Sequence, residues 1–165
     1  MSMKVGDTVV HPIYGVGEIV GLEERQFASA EVRRYFQVST GKTMVWVPVE
    51  TCEVVGLRHL TAKADLAAYR NVLKSRPISL DKDHAKRRRE LAESLRRGSF
   101  QAMCEMVRDL TARGWRRPLG ESDARLLRKT HETLCQEWAA ADSASIARAT
   151  QEVDTMLLEA KRAYA

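Results

Sequence analysis

The sequence lacks most of the features that mark disulfide-rich, secreted or membrane proteins. Its 165 residues include only three cysteines, with no C-x-x-C pair, so reduced thiols are expected instead of a disulfide framework. No run approaches the roughly 18–20 apolar residues of a membrane span. The N-terminus has no apolar stretch or cleavage site of a secretory signal. These absences predict a soluble, cytoplasmic protein with no membrane partner.

Catalytic and metal-binding motifs are also missing. Gly15-Val16-Gly17 and Gly41-Lys42-Thr43 lack the other glycines of nucleotide-binding loops, and neither H-E-x-x-H nor G-x-S-x-G occurs. His131 and Cys135, four residues apart, could share a metal with Cys104, but they fall on the apolar stripe of a predicted helix and no fourth ligand has suitable spacing. The prediction is therefore no enzyme activity, no cofactor, no metal and no small-molecule substrate.

Positive charge is distributed unevenly along the chain. The net charge of +5 divides into −1 over residues 1–60 and +6 over residues 61–165. Such asymmetry indicates two parts with different tasks, one of them involving a polyanion. The alternative is a solvated surface that happens to favour arginine. With 44% hydrophobic and 30% charged residues, the chain has enough apolar side chains to build a core.

Residues 1–60 show the pattern of a small β domain. Val5–His11 is rich in β-branched residues, and Arg33–Val38 alternates polar and apolar side chains as a half-buried strand does. Ser39–Lys42 has the composition of a hairpin turn. Pro48 cannot donate to a β-ladder, which predicts a strand end or a sheet edge there. Four or five short strands predict a small, strongly bent sheet or barrel.

Residues 61–165 change to a helical period, with apolar residues recurring three and four apart in five stretches. Helix starts are expected at Ser79 or Asp81, at Ser99, at Ser122 or Asp123 and at Ser143, and helix ends at Gly98 and Gly114. The predicted fold class is α+β, a small bent β-sheet domain over 1–60 followed by a compact all-helical domain over 61–165.

Lys86–Arg89 is the densest run of positive charge in the chain. Such a row of cations fits phosphates along a nucleic-acid groove, where each neutralised phosphate releases a counterion. It fits a solvated helical face equally well. A second basic cluster, Arg113–Pro118, carries Trp115 in a predicted interhelical loop. That ring could stack on nucleic acid or pack against the helical bundle.

Motifs along nearly the whole chain follow one family pattern. The β half contains Val5-Gly6-Asp7-Thr8-Val9-Val10-His11-Pro12, Tyr14-Gly15-Val16-Gly17, Val47-Pro48-Val49-Glu50 and Val55-Gly56-Leu57-Arg58. The helical half contains Arg96-Arg97-Gly98-Ser99, Val107-Arg108-Asp109-Leu110 and Leu126-Leu127-Arg128-Lys129. Together they resemble the CarD/CdnL family of bacterial transcription regulators. The transcription-repair coupling factor has a module of similar β fold, but the helical half favours the CarD type.

The resemblance implies a Tudor-like N-terminal domain that binds the β subunit of RNA polymerase through an edge of its sheet. An apolar edge strand offers unpaired backbone groups to a partner strand. The matching positions are Arg25, Val45, Trp46 and Val47. Many family members have a basic residue where Trp46 stands, so a more apolar contact is expected here. The alternative for Trp46 is that its ring closes the end of the small barrel.

The resemblance also implies a helical domain that binds promoter DNA, largely independently of sequence, at the upstream edge of the transcription bubble. The matching phosphate-binding residues are Arg87, Arg88 and Arg89, and the neighbouring Lys86 is also expected to bind DNA. A family tryptophan that wedges into the minor groove aligns with His84. An imidazole offers much less apolar area than an indole. We therefore expect DNA binding to persist and stabilisation of the bubble to be reduced.

These expectations combine into a cytoplasmic, nucleoid-associated regulator that modulates the stability of the open complex. Two alternatives remain at this stage. One is a protein-interaction paralogue that binds polymerase without DNA wedge activity. The other is an enzyme of unrecognised type, which a deep polar pocket would indicate.

Overall fold

The computed structural model describes residues 2–28 and 31–165. They form two compact units, one ending at Leu60 and one beginning at Thr61. The first unit is an antiparallel sheet with one short helix, and the second is helical. The α+β fold predicted from the sequence is confirmed. Among the described residues, no helix is long and apolar enough to cross a membrane.

The described residues of the first unit form five strands in the order β4-β3-β2-β1-β5, all paired antiparallel. The strands are β1 (Thr8–His11), β2 (Gly15–Arg25), β3 (Arg33–Ser39), β4 (Met44–Pro48) and β5 (Arg58–His59), with helix α1 (Cys52–Val55) between β4 and β5. Gly41 has φ +86 in the hairpin turn that joins β3 to β4. Pro48 ends β4, which lies at the sheet edge, as its missing N–H requires.

An irregularity in β2 and one close backbone approach shape this small sheet around its core. The strand carries a bulge between Ile19 and Gly21, which increases local twist. A Cβ atom at Gly17 would lie 2.8 Å from the carbonyl oxygen of Ser39, so only glycine permits this close approach of two backbones. The buried core consists of Val9, Ile19, Phe36, Val38, Val47 and Leu57.

The second unit consists of five main helices after a 3₁₀ turn at Lys63–Asp65. They are α2 (Leu66–Lys74), α3 (His84–Arg97), α4 (Phe100–Arg116), α5 (Glu121–Asp142) and α6 (Ile146–Tyr164). Helix α3 packs on α4 through Leu91, Met106 and Leu110. The fully buried Glu137 of α5 accepts hydrogen bonds from the N–H and hydroxyl of Thr61, at 3.2 and 2.6 Å. These two hydrogen bonds hold Thr61, the first residue of the helical unit, against α5.

The start of α3 differs from the sequence expectation. Asp83, and not Ser79 or Asp81, caps the helix by accepting the Lys86 N–H at 3.1 Å. Asp81 instead accepts the N–H of Asp83 at 2.8 Å, which forms the turn before the helix. Ser99 caps α4 and Gly98 ends α3 in the left-handed region, both as predicted.

The ends of the later helices also differ from expectation. Helix α4 passes through Gly114 and ends at Arg116, so Trp115 lies in a helix and not in a loop. Helix α5 begins at Glu121 after Gly120, which places Asp123 inside its first turn. Ser143 adopts the left-handed C-cap of α5, with φ +53. The cap of α6 is Ser145, two residues later.

Candidate functional sites

The first candidate site is the unpaired side of β4, which among the described strands pairs only with β3. Thr40 N–H donates to the Thr43 carbonyl and Val49 N–H to the Arg34 carbonyl, at 3.0 and 3.1 Å. Hydrogen-bonded positions alternate in an antiparallel ladder, so the backbone groups of Val45 and Val47 face β3. The N–H and C=O of Trp46 therefore face the unpaired edge.

The Trp46 side chain lies on the outer face of the sheet and does not close the barrel. Its indole Nε1 donates to Glu23 Oε2 at 2.9 Å, and Gln37 Nε2 donates to the same oxygen at 2.6 Å. These hydrogen bonds, with Trp46 the stronger influence, lower the pKa of Glu23 from its usual value. The Arg25 guanidinium lies 4.6 Å from the Trp46 ring centroid and 3.5 Å from Glu23. Trp46 remains 37% exposed.

The structure therefore brings together two of the four predicted polymerase-binding side chains, Arg25 and Trp46. Val47 is buried in the sheet core, and the partly buried Val45 packs against it. With their backbone groups also directed at β3, these valines hold Trp46 in position and offer little surface of their own. We define the edge surface as the outward backbone of β4 together with Trp46, Arg25 and Glu23.

The second candidate site surrounds the first turns of α3. His84, Lys86, Arg88 and Arg89 are exposed. Lys86 forms an ion pair with Asp81, with Nζ 3.2 Å from Oδ2, and that hydrogen bond raises its pKa. Arg88 and Arg89 form no ion pair or side-chain hydrogen bond with the described residues. Both guanidinium groups are thus accessible to a ligand.

Arg87 differs from its neighbours because it points into the helical unit. It is only 5% exposed, and its Nε donates to Asp123 Oδ2 at 3.0 Å. Its Nη1 donates to the carbonyls of Asp81 and Lys82, at 2.9 and 3.2 Å. His84 Nδ1 lies 3.3 Å from its Nη2. In this conformation Arg87 offers no guanidinium to a phosphate, contrary to the sequence expectation, because Asp123 needs a buried counterion.

A groove between α3 and α5 extends the exposed charge of the second site. Arg88 of α3 faces Arg125 and Lys129 of α5 across an apolar floor, in a cleft of about 500 Å³. The floor consists of Ala92, Leu95 and Leu126. Two carboxylates also line the cleft: Glu121, which pairs with Arg125 at 2.9 Å, and Asp123, which pairs with the buried Arg87. We call this cleft the basic groove. Sequence reasoning missed Arg125 and Lys129, although their spacing of four residues places them on one helical face.

His131 forms an ion pair between helices. Its Nε2 lies 2.7 Å from Asp154 Oδ1 and 3.9 Å from Cys135 Sγ. These contacts, led by Cys135, raise the pKa of His131 to about 9 despite partial burial. Within residues 2–28 and 31–165, no three His, Cys, Asp or Glu side chains gather as metal ligands would. The predicted absence of a metal site stays a prediction.

Two family models match the chain, one over each structural unit. The CarD-like/TRCF RID domain matches residues 3–61, and the CarD C-terminal domain matches residues 69–154. The chain belongs to the CarD family. The resemblance to CarD/CdnL regulators is confirmed, and the CarD family is one of transcription factors, which are generally not enzymes. A role in transcription regulation follows from membership of this family.

A relative of this CarD-family chain occurs in Bacillus subtilis (strain 168), described as "Putative transcription factor YdeB". It is 23% identical over 135 residues, which cover 81% of this chain and 88% of the relative. The aligned length is greater than either structural unit, so the similarity extends into both halves.

Proposed function

We propose that this CarD-family protein binds the β subunit of RNA polymerase through its edge surface and promoter DNA through the exposed cations of α3 and α5. By binding both, it modulates the stability of the open complex. The observation that carries the proposal is the unpaired β4 edge, with Trp46 at its centre, in a unit that matches the RID family model.

The geometry of β4 suits the addition of a strand from a partner. In such complexes, main-chain hydrogen bonds provide affinity and the neighbouring side chains provide specificity. Trp46 offers both its N–H and its C=O, while Pro48 has no N–H and limits the paired length. The Trp46 ring is held by Glu23 and Arg25, so little side-chain entropy is lost when a partner packs against it.

Charge and exposure support DNA binding by the helical unit. Arg88 and Arg89 are exposed without an ion pair to another described residue, and Arg125 and Lys129 line the basic groove. Lys86 must exchange Asp81, and Arg125 must exchange Glu121, for a phosphate, which lowers the net contribution of both cations. Contacts to phosphates carry no base sequence information, so affinity largely independent of sequence is expected.

His84 occupies the position where the family pattern has a tryptophan wedge. It is exposed at the first residue of α3, with its Nδ1 3.3 Å from Arg87 Nη2. An inserted side chain must offset a few kcal/mol for each unstacked base step, and an imidazole has little apolar area for that purpose. The open complex is therefore stabilised only as far as the protein binds it more tightly than the closed complex.

The DNA half of the proposal is tested by neutralising the basic groove. In one variant Arg88, Arg125 and Lys129 become glutamine; in the control, Arg33, Arg34 and Lys42 of the β unit become glutamine. Each lost phosphate contact should reduce the slope of log affinity against log salt by about 0.9 on duplex DNA. We expect a flatter slope for the groove variant only. An unchanged slope, or an equal change in the control, would contradict the assignment.

The second candidate function is a protein-interaction role without DNA binding. The observation that favours it is the exposed His84 where the family pattern has tryptophan. Gel-shift assays of the unmodified protein on promoter duplex at moderate salt distinguish the two. If polymerase binding is retained and no duplex is bound, the interaction-only role replaces the proposed one.

A further inference from the structure

A second cation-lined cleft, separate from the basic groove, lies at the C-terminal end of α4. Its volume is about 480 Å³, within the size range of small-molecule sites. One wall is the connection between α2 and α3, and the other is the last turn of α4. Five cations line it: Arg76, Lys82, Arg113, Arg116 and Arg117. We call it the α4 cleft.

The charge of this cleft is poorly balanced by the protein. Against these five cations the lining holds two anionic groups, the α-carboxylate of Ala165 and the side chain of Asp109, which already accepts a hydrogen bond from the buried Arg108 at 2.8 Å. Arg113 has a distant partner in Asp123, at 3.9 Å. Lys82, Arg116 and Arg117 are exposed and form no ion pair with the described residues. The cleft thus attracts an anion that carries more than one charge.

The wall between α2 and α3 is fixed in place before any ligand arrives. The Ile78 N–H donates to Asp109 Oδ1 at 3.0 Å, and Arg108 Nη1 donates to Ser75 Oγ at 2.9 Å. Arg87 Nη1 binds the carbonyl of Lys82. These hydrogen bonds come from buried arginine and aspartate side chains and already order the wall. Little further conformational entropy is therefore lost from it when a ligand binds.

Aromatic side chains distinguish this cleft from a simple phosphate site. Trp115 is half-buried in the last turn of α4. Its indole forms no hydrogen bond and no ring contact with the described residues. The Arg76 guanidinium lies 5.0 Å from the ring centroid of Tyr164. A half-buried indole in the lining of a cation-rich cleft provides a platform on which a base can stack while phosphates meet the arginines.

We propose that the α4 cleft binds a nucleotide, with its base stacked on Trp115 and its phosphates held by Arg116, Arg117 and Lys82. A bare phosphate would leave the aromatic face unused. Bases of an intact duplex are already stacked and cannot reach Trp115. The same chemistry is offered by a free nucleotide and by an unpaired nucleotide in single-stranded DNA.

Calorimetric titration of the full chain with ATP and, separately, with an eight-residue thymidine oligonucleotide tests the site. We expect Trp115→Leu to weaken binding by roughly 5- to 150-fold, the range for loss of one stacked base, and Trp115→Phe to weaken it less. Arg116→Gln with Arg117→Gln should also weaken binding and reduce its salt dependence. The matched control is Arg96→Gln with Arg97→Gln, an exposed pair at the end of α3 outside this cleft.

Each outcome decides the proposal. Tight binding of ATP alone indicates a free nucleotide, binding of the oligonucleotide alone indicates single-stranded DNA, and both support the shared site. Binding of neither overturns it, as does an equal loss in the control pair or no loss in Trp115→Leu. Tryptophan fluorescence provides an independent measurement. Ligand binding should quench the fluorescence of the unmodified protein but not that of Trp115→Phe, which retains Trp46 and Trp138. None of these results depends on duplex binding by the basic groove.

Discussion

The buried ion pair between Arg87 and Asp123 predicts a large loss of stability in Asp123→Ala. The two side chains are only 7% and 4% exposed, with 3.0 Å between Nε and Oδ2. Removing one partner of such a pair leaves an uncompensated buried charge, which costs about 3–5 kcal/mol. The matched control is Glu121→Ala on the same turn of α5, where the exposed pair with Arg125 contributes about 0.3–0.5 kcal/mol.

The assay is urea denaturation followed by circular dichroism at a helical wavelength. This signal reports mainly the helical unit, because α1, with four residues, is the one α-helix among the described residues of the β unit. The reasoning is refuted if the free energies of unfolding of Asp123→Ala and the control differ by less than about 1 kcal/mol, since an exposed ion pair contributes that much at most. Adding Arg87→Met should restore part of the loss by removing the unpaired charge. Recovery is incomplete because the carbonyls of Asp81 and Lys82 lose their donor.

Three further predictions follow from single side chains. His84→Trp should lengthen the lifetime of open complexes in a decay assay, because an indole supports an unstacked base step better; an unchanged lifetime argues against a wedge there. The stabilisation from protonated His131 is fully present below about pH 6.5 and lost as pH rises through about 9, since Cys135 and Asp154 raise its pKa. The melting temperature of the unmodified protein should therefore fall more steeply between pH 6 and pH 10 than that of Asp154→Asn. Equal slopes for the two proteins would contradict this. Cys52 should react with a thiol reagent before Cys104 and Cys135, because those two cysteines are buried. Burial also raises the pKa of Cys104, so less of it is the reactive thiolate. Simultaneous reaction of all three would contradict the burial.

Local signals were sufficient to predict the architecture. The change from a period of two to a helical period near residue 60 agrees with the division of the structure between Leu60 and Thr61. Gly41 and Pro48 act through their own backbone restrictions, so their positions at a turn and at the end of an edge strand follow from sequence alone. The Ser99 cap acts within one helical turn and was predictable for the same reason.

Features that depend on distant residues were not predictable. In the run Lys86–Arg89, only Arg87 turns inward, because Asp123 lies opposite it, 36 positions away in sequence. The basic groove requires α3 to lie against α5, which no local pattern specifies. Gly114 did not end α4, since a glycine costs only about 1 kcal/mol in a helix and tertiary packing can exceed that.

The role of the β4 edge is tested most directly by binding of the polymerase β-subunit lobe to Trp46→Pro and Trp46→Val. Valine removes the ring and keeps the outward N–H, whereas proline removes both without breaking the bonds of Val45 and Val47 to β3. A circular dichroism spectrum unchanged between the two variants confirms that the sheet is intact. The account predicts binding at least tenfold weaker for proline than for valine, equivalent to about 1.4 kcal/mol. Equal affinity of the two variants would show that no strand is added at β4.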